Sequence, residues 1–142
     1  MNITSNLKIT KVEATAGAAT SAVETDAVDM AGFEAVAFLA SLGTAAANNS
    51  VKAQQSNDAA GSPDDWSDLE GSAVDSASGV TDLVTEVYRP TKRYVRAVVT
   101  RGTSSTVEAV WAIQSGAAVA PVTNTSATQA VGLVAGPAEG TA

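Results

Sequence analysis

The chain has 142 residues, enough for one buried core and too few for two substantial ones. Its formal net charge of −7 argues against a general nucleic-acid binder, because neutralising phosphate needs a positive field over the contact surface. Cys and His are both absent, which removes disulfides, thiolate chemistry and the commonest general base and metal ligand.

The apolar 45% is reached mainly with Ala and Val, so the core is built from small side chains that each bury little area. Docking or oligomerisation is then expected to supply part of the stability. The N-terminus "MNITSNLKIT" has neither a basic nor an apolar leader region, and no run reaches membrane-spanning length. The expectation is a soluble chain without a signal peptide and with no membrane partner.

In chain order, "NLKITKV" near the start reads as a short strand. The stretch "FEAVAFLASL", residues 33–42, holds residues that favour helix. Its two faces, Ala35, Ala37 and Leu39 against Val36, Phe38 and Leu42, are both apolar, as a strand covered on both sides requires. It is read as a central strand, with one side in the core and the other available to an oligomer contact. "VKAQQS" from Val51 follows as a shorter strand, with Val51, Ala53 and Gln55 on one side.

A polar loop, "NDAAGSPDDWSDLEGS", then carries a short strand or anchor at Trp66 and Leu69. In "VTDLVTEVY", Thr81, Leu83, Thr85 and Val87 alternate with Asp82, Val84 and Glu86 until Arg89 and Pro90 end the strand. "YVRAVVTR" sets Val95, Ala97 and Val99 on one face, and "TVEAVWAIQ" sets Val107, Ala109, Trp111 and Ile113 on one face. With "GTSS" between them, and Gly102 free to take positive φ, these two predict a hairpin with Trp111 in the core. The pattern as a whole predicts an all-β fold: a jelly-roll-like β-sandwich over residues 1–115. Residues 116–142, small and neutral apart from Glu139, form an extended arm that adds a strand in part, to this sheet or a neighbour's.

Residues that could carry chemistry fail on spacing. Seven carboxylates between Asp58 and Asp82 lie without a base among them, but no helix–loop–helix calcium pattern is present, and a hydrated acidic face accounts for them. The adjacent Asp64 and Asp65 would face opposite ways on a strand, with no nucleophile beside them. No Ser-x-x-Lys motif or phosphate loop occurs, so neither catalysis nor a cofactor or metal is expected.

Five of the eight basic residues fall in "YRPTKRYVRAVVTRG": Arg89, Lys92, Arg93, Arg96 and Arg101. They do not form one face, so pairing with carboxylates within the chain or across an interface is favoured over a nucleic-acid groove. Trp66, flanked by acids, is either a loop anchor or a contact with something else. These six residues are the candidate interface set.

The segments "MNITSNLKI", "VDMAGFEAVAFLASLGT", "KAQQSNDAAGSPDDWSDLEG", "VYRPTKRYVRAVVTRGTSSTVEAVWAIQSG" and "GPAEGTA" are spread over nearly the whole chain, and on them it resembles the head decoration, or cement, proteins of tailed bacteriophages. The resemblance implies a homotrimeric β-sandwich on the capsid outer surface, with the major capsid protein and the chain itself as partners. It transfers no functional residue. The strand, polar loop and Trp rhythm around Trp66 also resembles jelly-roll carbohydrate-binding modules, which makes a host-glycan module the alternative. A head–tail or tail structural component is a further one.

Overall fold

Runs of Val and Ala alternating with polar residues bury one face per strand, and two such faces closed on each other make a sandwich. The computed structural model describes residues 2–62, 65–77, 79–136 and 138–141. A single helical turn, α1 (Ile3–Asn6), precedes β1 (Lys8–Glu13), β2 (Ala16–Ala19), β3 (Val23–Glu24) and β4 (Val28–Asp29). They are followed by β5 (Ala35–Leu42), β6 (Ser50–Ser56), the two-residue β7 (Ser67–Asp68) and β8 (Val74–Asp75), β9 (Asp82–Tyr88), β10 (Tyr94–Thr100) and β11 (Ser105–Ser115).

All pairings are antiparallel. One sheet has the order β1-β11-β5-β9, with β2 on the other half of β11; the second has β3 and β4 on β10, then β6, then β7 and β8. The core between them is lined by Val36, Phe38, Ala40 and Leu42 of β5, Leu83 and Val87 of β9, Val51 and Ala53 of β6, and Val95, Ala97 and Val99 of β10. Phe38 is its one fully buried aromatic ring, so the core is indeed filled with small side chains. β5 is central, as its two apolar faces predict.

Two expectations are corrected. β10 and β11 do not form a hairpin: β10 pairs with β6, and β11 with β1, β2 and β5, so the chain crosses from one sheet to the other between Thr100 and Ser105. Alternation in β10 shows which of its residues face the core but not which sheet they face it from. Gly102, moreover, is not among the positive-φ residues; a Cβ there would collide with the Ala47 carbonyl oxygen, so close approach is what requires glycine.

Trp111 is the second correction. The β11–β5 register shifts between Val107, opposite Leu42, and Ala109, opposite Ser41, leaving Glu108 as the extra residue of a bulge. Every side chain after it changes face. Val107 is inside, but beyond the bulge Val110, Ala112 and Gln114 are inside, and Trp111 turns outward with 38% exposure.

Candidate interaction faces

The bulge in β11 assembles a surface that the linear pattern hides. On the outer face of the first sheet, Lys11, Trp111, Leu39 and Val84 stand in one cross-strand row over β1, β11, β5 and β9. The next row is Ile9, Ile113, Ala37 and Glu86. Val84 is 53% exposed, and with Leu39, Ala109 and Trp111 it lines a shallow groove of about 370 Å³. Lys11 Nζ lies 6.0 Å from the Trp111 ring centroid. Lys11, Trp111 and Val84 are exposed in this row, and Leu39 is half-buried.

The outer face of the second sheet is built differently. Arg96 donates from Nη1 to Glu24 Oε2 at 2.9 Å and from Nε to Gln54 Oε1 at 2.9 Å. Gln54 and Lys52 both donate to Asp68, each at 2.7 Å. Hydrogen bonds from Lys52 and then Gln54 hold the Asp68 carboxyl below its ordinary range. Beside this network Arg93 grips Asp29 through two bonds of 3.0 and 2.7 Å, which lowers the Asp29 carboxyl and raises the Arg93 guanidinium. The polar groups of this face are engaged with one another.

The candidate interface residues therefore part company. Arg89, Lys92 and Arg93 lie at one end of the sandwich, around an open depression of about 550 Å³ that also includes Met30 and Phe33. Arg89 has φ 52 and pairs with Glu34 at 3.3 Å, both side chains being exposed. Lys92 makes no ion pair among the described residues. Arg96 lies on the second sheet's outer face, with its guanidinium 4.4 Å over the Trp66 ring.

Trp66 is buried at 8% exposure outside the inter-sheet core, so the ring on which the glycan reading rests is covered. Arg101, at the opposite end of β10 from Arg93, is buried at 7% exposure and bonded to the Gly17, Ser21 and Ser105 carbonyls. Trp66 and Arg101 are thus placed inside the fold rather than on its surface. Asp64, one of the acidic run, lies outside the described residues; among those described, no cluster of three carboxylates is spaced to hold a metal ion.

Residues 116–142 form only an isolated bridge, Ser126 to Gln129, among those described. Asn124 pins this arm: its Oδ1 accepts from the Ile9 N–H at 2.7 Å, and its Nδ2 donates to the Thr4 and Leu7 carbonyls at 2.9 and 2.7 Å. The sequence reading missed the Trp111–Leu39–Val84 row. One signal for it was available: Val84 is the apolar residue on the Asp82–Val84–Glu86 face of its strand.

No protein-family model and no curated protein matches the chain. Among solved structures, it is similar to the PBSX exported protein XepA, with 24% identity and a TM-score of 0.55. That match covers 96% of this chain and 46% of the XepA chain, so this chain spans less than half of XepA's length. The SPBc2 prophage-derived protein YomS aligns over 76% of this chain and 93% of its own, with 12% identity and a TM-score of 0.44. What the chain shares with XepA is the fold, an antiparallel β-sandwich.

Proposed function

We propose that this chain is a structural virion protein of a tailed bacteriophage, a decoration subunit that binds the capsid outer surface and stabilises the lattice. The observation that carries the reading is the contrast between the two outer faces. One is a closed network of ion pairs and hydrogen bonds; the other presents the exposed Trp111 and Val84 beside the half-buried Leu39. Exposed apolar rows of this kind mark surfaces for contact with other proteins.

Two further points support it: the resemblance to phage decoration proteins, in segments spread along the chain, and the fold shared with phage-derived XepA. The partners on this reading are the major capsid protein and other copies of the chain. A subunit that binds only the mature lattice shifts the capsid toward that state by mass action, in proportion to RT ln(1 + [L]/Kd) per site.

Quantifying the chain in purified particles tests the proposal. Decoration requires a near-stoichiometric ratio to the capsid protein, and particles lacking the chain should release their genome at lower temperature or milder osmotic shock. Low copy number, or absence from mature particles, would overturn it.

A further inference from the structure

We infer that the outer face of the β1-β11-β5-β9 sheet is a two-fold interface with a second copy of this chain. The inference concerns the isolated protein and does not depend on the capsid reading. It rests on the order in which that sheet sets out its side chains.

The row Lys11–Trp111–Leu39–Val84 has its midline between β11 and β5. A two-fold axis along that midline, parallel to the strands, exchanges β1 with β9 and β11 with β5 between copies. Trp111 of each copy then meets Leu39 of the other, and Lys11 of each meets Val84 of the other. On β9, Val84 stands between Asp82 and Glu86 on the same face, each about 7 Å away along the strand. The ammonium of Lys11 therefore arrives between two carboxylates.

Asp82 already accepts from Ser41 Oγ at 2.7 Å and from Thr81 Oγ1 at 3.3 Å. Glu86 makes no ion pair among the described residues and is the acceptor left for Lys11. The alternative face-to-face axis, perpendicular to the strands, would place β9 on β9 and bring these carboxylates together without a cation. Charge thus selects the strand-parallel axis, as interface charges commonly fix register.

The size of the face is adequate for a weak dimer. Four strands spaced about 4.8 Å apart, and the eight residues of β5 rising about 3.3 Å each, give a footprint of about 500 Å² per copy. That lies near the lower bound of specific interfaces, with Trp111 as the large central anchor. The expected association is micromolar and two-fold, whereas the decoration-protein resemblance implies a trimer.

Sedimentation equilibrium of the purified full chain, with circular dichroism as a folding control, tests this by charge reversal. Lys11→Glu and Glu86→Lys should each raise the dimer dissociation constant about tenfold. The double variant should return to within about threefold of the parent. Within one copy the two residues lie three strand spacings and one row apart, about 16 Å, so their mutual rescue reports contact between copies. A chain that is monomeric or trimeric throughout the micromolar range, or a double variant no tighter than the weaker single one, would overturn the inference.

Discussion

Replacing Arg101 by alanine should cost the fold about 3 kcal/mol, on the following grounds. The guanidinium donates to the Ser21 carbonyl at 2.7 Å, to the Gly17 carbonyl at 2.7 Å, to the Ser105 carbonyl at 2.8 Å and to Ser21 Oγ at 3.0 Å. No carboxylate shares the site among the described residues; carbonyl dipoles from the β2–β3 segment and from β11 hold the cation. Gly17 and Ser21 are exposed and regain water when the side chain is removed. Ser105 is 1% exposed, so its carbonyl loses the Arg101 bond with no water to replace it, at a cost of about 1–3 kcal/mol.

Lost packing of the side-chain stem adds to that cost, while release of a desolvated cation offsets part of it. Arg101→Lys keeps the charge but not the planar fork, and should cost about 1–2 kcal/mol. Urea denaturation with an unchanged m value is the assay, and the alanine variant should melt about 10 °C lower. A loss below about 1 kcal/mol for alanine, or a lysine variant equal to the parent, would refute the argument that carbonyl bonding to the fork closes this end of the sandwich.

Three more outcomes are expected. Gly102→Ala, whose Cβ would strike the Ala47 carbonyl, should destabilise by about 2–3 kcal/mol, and a loss under about 0.5 kcal/mol would show that the sheet crossing has room. Asn124→Ala should speed amide exchange across residues 117–136 and cost about 1–2 kcal/mol, because three hydrogen bonds to Thr4, Leu7 and Ile9 are lost; unchanged protection there would contradict its role as the arm's pin. The Asp29 carboxyl is lowered from 3.8 mainly by its hydrogen bond with Arg93, so the pair's contribution is complete above that pH and lost as pH falls through the lower folded-state value. Asp29→Asn should therefore be less stable than the parent at neutral pH and indistinguishable from it in strong acid, with a gap narrowed by salt because both groups are exposed. A gap that persists in strong acid would assign the effect to something other than this ion pair.

Much of the fold was legible because its signals are local. Alternation in "VTDLVTEVY" and "YVRAVVT" sets Thr81, Leu83, Thr85 and Val87, and Val95, Ala97 and Val99, on one face each, and all but the half-buried Thr81, which precedes β9, are buried. The doubly apolar "AVAFLASL" likewise marks the centre of a sheet and an outer face with apolar content. The basic residues were separable in the sequence too, since Pro90 and the strand period divide them.

What the sequence alone determined is which residues the regular strands β9 and β10 turn toward the core, because in an unbroken strand side-chain direction follows from a two-residue period that needs no partner. Tertiary structure decided three things that depend on partners: the sheet each strand joins, the bulge at Glu108, and the ligands around Arg101. Sheet membership is a choice among distant strands, and a bulge is a register mismatch that exists only once β5 lies beside β11. That mismatch turns Trp111 from the core to the surface and aligns it with Leu39 and Val84, so the candidate interface is a product of strand pairing rather than of any contiguous motif.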